Sequence, residues 1–345
     1  MKSKQTVLIL IAVLLVLAAI FGVYYFKNRD AKPTATNAAG GEQPVKLIPL
    51  AGAVADASAE LSGTAWHGDS LILLPQYPER FGEGDGMLFA LPKQDILNYL
   101  DGKSTEPLTP TEITLVASGL KESIPNFQGY EAIGFRGDQV FMTIEAGDGT
   151  DMHGYLVSGA LSGNEITLDT AKVVEIPQPI ASENHTDEAI IVTKDKVLTL
   201  FELNGADLNP QPAAQAFNFE LVPEPSISFP HLEYRVTDAA LDSDGQLWVI
   251  NYFYPGDTDM LPKVDPLAQT YGKGATHAQY DHVERLVKLS YSDSGITLTD
   301  AAPIQISLEK DNARNWEGLV LLDQRGFLMV TDKFPGTLLG FVEMP

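Results

Sequence analysis

The sequence predicts an all-β fold, a five-bladed β-propeller preceded by one N-terminal transmembrane helix. Three observations carry that expectation. Beyond residue 45 long helical periodicity is scarce, and short β-branched and aromatic runs are broken by Gly, Asp, Asn and Pro. A hairpin with polar groups at its ends recurs five times, and the chain opens on an uncharged apolar run.

That run comes first in the chain. Lys2 and Lys4 precede Val7 to Phe26, a stretch of 20 residues without a charge. At about 1.5 Å per residue it spans roughly 30 Å, the hydrocarbon thickness of a bilayer. Its end, Val-Tyr-Tyr-Phe, places tyrosines where the headgroup belt favours them. The nearest small-residue stretch, "TATNAAGG", lies well beyond the run, so an uncleaved signal anchor is expected, with a cleaved signal peptide as the alternative. The expected layout is a short cytoplasmic segment (1–6), a transmembrane anchor (7–26), a flexible Ala/Thr/Gly/Pro-rich tether (27–44) and the propeller (45–345). Lys27, Arg29 and Lys32 follow the anchor, yet a long acidic domain can translocate past such charges. The C-terminal domain is therefore placed outside the cytoplasm.

Composition narrows the partners. With 44% hydrophobic residues the chain is too apolar for disorder. A formal net charge of −23 repels phosphate backbones and anionic lipid, which argues against nucleic acid and favours cations. The absence of cysteine removes disulfides, thiolate metal sites and a Cys nucleophile, and leaves the redox compartment open.

The hairpins are read next. "EAIGFRGDQVFMTIE" runs from Glu131 to Glu145, and "EAIIVTKDKVLTLFE" from Glu188 to Glu202. "SGTAWHGDSLILLPQ" runs from Ser62 to Gln76, with Glu60 just before it. "VTDAALDSDGQLWVIN" ends at Asn251 and carries Asp238 near its start. The closing copy runs from Glu317 to Asp332 around the turn "DQRG". Further strand-like runs fill the intervals: "GMLFALP" and "EITLVAS", "HGYLVSGAL" and "KVVEIP", "AQAFNFELV" and "SISF", "RLVKLSYS" and "PIQISL". Four strands to each interval is the pattern of a propeller blade. The last copy stops one strand short, and "PVKLIPL" (44–50) can supply that strand and close the ring. A six-bladed ring with a degenerate copy hidden in 251–310, or a pair of β-sandwiches, are the alternatives. Only "KQDILNYL" (93–100) reads as a helical turn.

In a propeller the first strand of a blade lines the channel and the second returns beside it, so the hairpin ends meet at one face. Ser62, Glu131, Glu188, Asp238 and Glu317 are thereby expected in an inner ring, and Gln76, Glu145, Glu202, Asn251 and Asp332 in a wider polar ring. Carboxylates so close repel strongly unless a cation or bound protons relieve them. Oxygen ligands without His or Cys favour Ca²⁺. The alternative is that these acids are solvated strand ends.

The "YEAI", "DEAI" and "NWEGL" strand starts resemble those of the esterase-like phytase domain and of the five-bladed calcium-activated nucleotidases. The resemblance covers residues 45–345 at the level of the repeat. It implies Ser62, Glu131, Glu188 and Glu317 as calcium ligands; Asp238 departs from its glutamate pattern.

Loops entering the same face carry His185, His231, Arg235, Arg314 and Trp316, and Arg80 and Lys333 follow the second strands. Arginines beside a metal can bind an anionic substrate; the alternative is that each pairs with a neighbouring loop acid. His185, Arg235 and Arg314 are the catalytic candidates, and Trp316 joins the binding set. The long aromatic-rich loop 251–284 is expected as an ordered lid. No G-x-S-x-G, H-E-x-x-H, P-loop or dinucleotide fingerprint is present, so hydrolysis would need metal-activated water. Two readings follow: a membrane-tethered module that binds a small anionic ligand or a protein around a channel calcium, or a calcium-dependent hydrolase of phosphoesters or other esters.

Overall fold

The computed structural model describes residues 41–345; the expected segments 1–6 and 7–26, and most of the tether 27–44, lie outside the described residues. Among the described residues no helix is long and apolar enough to cross a membrane.

After a short strand β1 (Lys46–Leu47), β2 (Leu61–His67), β3 (Ser70–Pro75), β4 (Met87–Pro92) and β5 (Thr111–Val116) form an antiparallel series. A second series, β6 (Phe127–Arg136), β7 (Gln139–Asp148), β8 (Asp151–Ser162) and β9 (Glu165–Ile176), joins it. The join is parallel, from Thr114↔Glu165 to Val116↔Thr167, so two outer edges cover each other. The third sheet is β10 (Asp187–Val192), β11 (Val197–Phe201), β12 (Ala213–Phe217) and β13 (Pro223–Ser228). The fourth is β14 (Arg235–Leu241), β15 (Gln246–Phe253) and β16 (Val283–Ser292), with a split outer strand. Its two pieces, β17 (Gly295–Leu298) and β18 (Ile304–Gln305), pair with opposite ends of β16. The last sheet is β19 (Trp316–Leu322), β20 (Gly326–Thr331) and β21 (Leu339–Glu343), completed by β1 through Lys46↔Phe341 and Leu47↔Gly340.

The strands β2, β6, β10, β14 and β19 each pack against the next, and β19 packs against β2, which makes a closed, propeller-like circle. The core is divided into five layers between neighbouring sheets, and strand periodicity explains the division. Side chains alternate faces along a strand. On β7, Val140 and Met142 face the first series while Phe141 faces the third sheet. Leu71 and Leu73 of β3 pack against Leu328 and Val330 of β20, while Phe327 and Met329 of β20 turn to Trp248 and Ile250 of β15. Both faces of each second strand are buried, which is why "LILL", "VFM" and "FLMV" read as unbroken apolar runs.

Two expectations change, the bounds of the tether and the extent of "PIQISL". Glu42 and Gln43, assigned to the tether, belong to the fold. The Glu42 carboxylate accepts hydrogen bonds from Thr276 N (3.0 Å), His277 N (3.0 Å) and the His277 ring (2.8 Å), and Gln43 bridges to Ile306. The interval 251–310 holds no additional sheet; its strands all join the fourth sheet. The expected single strand "PIQISL" is only the two-residue β18. The turn 93–100 is a helix, Lys93–Leu100.

Candidate functional site

Every inner strand carries a β-bulge near its start. The register skips between Leu61 and Gly63, Tyr130 and Ile133, Asp187 and Ala189, Val236 and Ala239, and Trp316 and Gly318. A bulge leaves a residue without a cross-strand partner and re-aims its side chain. The residues freed in this way include Ser62, Glu131, Glu188, Thr237 and Glu317. Glycine follows two of them and lets the strands close in: a Cβ on Gly63 would lie 3.1 Å from Glu131 O, and one on Gly318 would collide with a Val330 methyl.

The three glutamates converge. One carboxylate oxygen from each of Glu131, Glu188 and Glu317 lies within 4.8 Å of the other two, and all three side chains are buried. The two hydroxyls serve the backbone around them. Ser62 Oγ donates to Tyr130 O (2.6 Å) and Thr237 Oγ1 to Trp316 O (2.6 Å), each the carbonyl just before a ring glutamate. Gln76 donates to Glu131 Oε1 (2.9 Å) and Asn315 to Glu317 Oε1 (2.6 Å).

Burial holds all three carboxyls well above the usual range, and neighbouring charge adds to it: chiefly Glu145 for Glu131, Glu131 for Glu188, and Asp332 for Glu317. The wider ring behaves alike. Burial, reinforced by Glu202, pushes Glu145 up to about 7, and burial pushes Asp332 up to about 6. Buried oxygens of Glu202 (Oε2) and Asp332 (Oδ1) have no hydrogen-bond partner among the described residues. Oxygens 4.8 Å apart can sit on opposite sides of an ion that holds each at about 2.4 Å, a Ca²⁺ distance. An all-oxygen donor set of carboxylates fits a hard divalent cation.

The remaining candidates divide. Asp238 lies outside the trio because the bulge presents Thr237 instead. Its carboxylate accepts from Ala239 N (2.7 Å) and Leu319 N (2.6 Å), and burial raises its pKa. Asn251 is displaced likewise: it pairs with Val236, so Tyr252 follows it at the position of the wider ring. The buried Asn251 amide donates to Glu233 O and Arg235 O and accepts from Arg285. Arg314 and Trp316 face inward, both bonded to the buried Glu284 (2.9 and 2.8 Å). Neither reaches an open surface as expected, since solvating Glu284 consumes them. Arg235 pairs with Glu202 (2.8 Å) and Asp257 (3.0 Å); burial opposes its charge, but these acids raise its pKa. It holds the wider ring together instead of standing free. His185 accepts or donates at Nδ1 with Ser182 (2.8 Å), while its buried Nε2 has no partner and lies 3.8 Å from Glu202 Oε2. Burial holds this imidazole below its usual range. His231 bonds Asn209 O, and Arg80 pairs with Glu60.

A cavity of about 540 Å³ is linked to the trio by Asn315, the donor to Glu317; Arg235, Tyr252, Tyr254, Asp257 and Phe334 are among its other lining residues. Sequence reasoning did not single out Thr237, Asn315 or Asp257 as site residues, and took Tyr252 only as an aromatic of the loop 251–284. The signal available for Thr237 was its hydroxyl, which parallels Ser62.

No protein-family model matches the chain, and no curated protein matches it. Solved structures that resemble it include a glycoside hydrolase of the GH130 mannoside phosphorylase family that targets β-1,2 mannosidic linkages in Candida mannan. It is 9% identical over 90% of this chain and 95% of that one, with a TM-score of 0.48. An exo-1,5-α-L-arabinanase from a bovine ruminal metagenomic library is 9% identical over 84% and 94%, with a TM-score of 0.46. A putative oxidoreductase (glucose dehydrogenase) from Thermus thermophilus is 11% identical over 87% and 99%, with a TM-score of 0.43. At these levels the likenesses carry no argument about what this chain does.

Proposed function

We propose that this protein is a five-bladed propeller, tethered to a membrane by residues 7–26 with its C-terminal domain outside the cytoplasm, that binds Ca²⁺ through Glu131, Glu188 and Glu317 and receives a ligand in the adjoining cavity. One observation carries the reading: three buried carboxylates meet within 4.8 Å. Such a cluster is stable only when a cation or shared protons offset its repulsion. Arg235 is the one guanidinium in the adjoining cavity's lining, and its charge is already taken up by Glu202 and Asp257.

Calcium titration of the full chain in mild detergent tests this. Wild type should bind calcium and melt at a higher temperature with it, and Glu317→Gln should lose most of both effects. Calcium binding unchanged by Glu317→Gln removes the reading.

A second reading, calcium-dependent ester hydrolysis, is favoured by His185 Nε2 and Glu202 Oε2, two buried and unpartnered atoms 3.8 Å apart beside the ring. An imidazole and a carboxylate so placed suit a general base that takes a proton from an attacking water, and a cation held by Glu131, Glu188 and Glu317 would supply the Lewis acid that polarises the ester. Release of an aryl alcohol from an aryl phosphate or aryl ester, dependent on calcium and lost in His185→Gln, is the expected outcome. No release from either substrate leaves the binding module alone.

A further inference from the structure

Three cavities adjoin one another through the residues they share and are taken together as one groove. The cavity beside the glutamates shares Tyr254, Asp311, Asn312 and Ala313 with a second of about 460 Å³. The second shares Pro255, Tyr280, Asp281 and His282 with a third of about 360 Å³. Each lies within the range of small-molecule sites, roughly 300–1,000 Å³. The groove runs from the acid ring, under the loop between β15 and β16, to His277 and Gln305 beside the Glu42 clamp.

Its wall is fixed. Asp265 caps the helix Pro266–Tyr271 through Leu267 N and Ala268 N and also holds Arg285 (2.8 Å). Met260 is buried against Phe201 and Phe253. The loop is therefore an ordered side of the groove.

Its lining is charge-balanced, in a chain whose net charge is −23. Four acids line it: Asp257, Asp265, Asp281 and Asp311. Four bases match them: Arg235, Arg285, Lys273 and Lys310. Three of these bases are ion-paired to three of the acids, Arg235 to Asp257, Arg285 to Asp265 and Lys310 to Asp311. Burial disfavours charge on the histidines as well: it lowers His277 and His282, and His277 Nε2 accepts from Glu284 N. Neither a polyanion nor a polycation finds net opposite charge here.

Two aromatic rings and a leucine are nevertheless exposed along it. Tyr254 (52% exposed), Leu261 (56%) and Phe334 (61%) line its cavities, although large hydrophobics are otherwise seldom exposed in the described fold. Tyr280 stacks on His282 at an interplanar angle of 9°, and the buried His282 Nε2 has no partner. Asn312 and Gln279 add uncharged hydrogen-bonding groups.

We propose that this groove binds a neutral, linear, polyhydroxylated ligand, an oligosaccharide, whose ring faces lie on Tyr254, Tyr280 and Phe334 and whose hydroxyls bond the side chains between them. Aromatic rings match the C–H faces of sugar rings, and the balanced polar lining serves hydroxyls that both donate and accept. The proposal rests on the ligand cavity of the proposed function and not on its cation: none of the three glutamates lines the cavities, and only Asn315, the donor to Glu317, links the two.

The test is binding of the full chain in mild detergent to cellohexaose, xylohexaose and laminarihexaose, with oligogalacturonate and hexalysine as charged counterparts. At least one neutral hexasaccharide should bind in preference to both charged chains. Tyr254→Ala and Phe334→Ala, both exposed and so harmless to folding, should each weaken it about fivefold. Sugar binding should persist in chelator, so loss of calcium binding and loss of sugar binding are separable results. Preference for a charged chain overturns the proposal, as does binding indifferent to both aromatic substitutions, or no binding to any neutral chain.

Discussion

Replacing Glu317 by Gln keeps the side chain's shape and removes one of three charges that the fold forces together. At 4.8 Å and an effective dielectric constant of about 20, two carboxylates repel by about 3 kcal/mol. Protonation caps this penalty, so the effect depends on pH. A carboxyl raised in the folded state contributes stability that is complete below its unfolded pKa and is lost as pH climbs through the folded value. Glu145, raised from 4.5 to about 7, and Asp332, raised from 3.8 to about 6, each lose about 3 kcal/mol over that rise, at about 1.4 kcal/mol per tenfold change in proton affinity. Glu131, Glu188 and Glu317 act in the same direction.

The buried histidines His185, His277 and His282, lowered by burial, work the other way below about pH 6.5. They are common to both proteins, so the difference between wild type and Glu317→Gln isolates the carboxylates. In chelator at pH 7.5 the variant should melt about 5 °C above wild type, at roughly 2 °C per kcal/mol for a domain of this size. At pH 5 the two should converge. Calcium should raise the wild type most at pH 7.5, by about 2.7 kcal/mol at a hundredfold excess over Kd, and hardly at all at pH 5. Scanning calorimetry of both proteins, in chelator and in calcium, reads all of this. A variant less stable than wild type in chelator at pH 7.5 would show that the glutamates do not repel, and the reasoning from their convergence fails.

Arg314→Ala should unfold the protein more than any change in the ring, by about 3–5 kcal/mol, because it strands the buried Glu284; urea denaturation measures it. A chain starting at residue 52 should lose several kcal/mol relative to one starting at residue 41, since removing the buried Ile48 side chain alone costs about 2–5 kcal/mol; equal melting temperatures would deny β1 its closing role. Protease added to intact cells should remove the domain, and protection until lysis would reverse the proposed topology. Gly318→Val should destabilise by at least about 1–3 kcal/mol through overpacking, read as a lower melting temperature.

The hairpins, the outer strands and the N-terminal closure were legible because both faces of the second strands are buried and their turns are polar. The split outer strand was not, because only "PIQISL" read as a strand and the four-residue run Gly295–Leu298 is too short to stand out. The parallel join of β5 to β9 brings together residues some fifty apart, which no local pattern encodes. Within the site, Glu131, Glu188 and Glu317 could be found from strand starts alone. Asp238 and Asn251 were out of phase because five hairpins with turns of different length cannot be aligned from one end, and bulge position is set by tertiary packing. Arg314 and Trp316 were misread for another reason: their partner Glu284 lies on β16, far from them in sequence.

The Glu42 clamp has a mechanical consequence. A pull on the chain ahead of Gly41 would meet three donors on the Glu42 carboxylate and the Gln43 bridge to Ile306 before it reached β1. Load would thus enter through the fourth sheet and its loop, while the short pairing of β1 with β21, two residues long, is shielded from being peeled open like a zip. A tethered protein under shear would then yield first at the loop, where Thr276 and His277 hold the carboxylate, and the circle of sheets would stay latched.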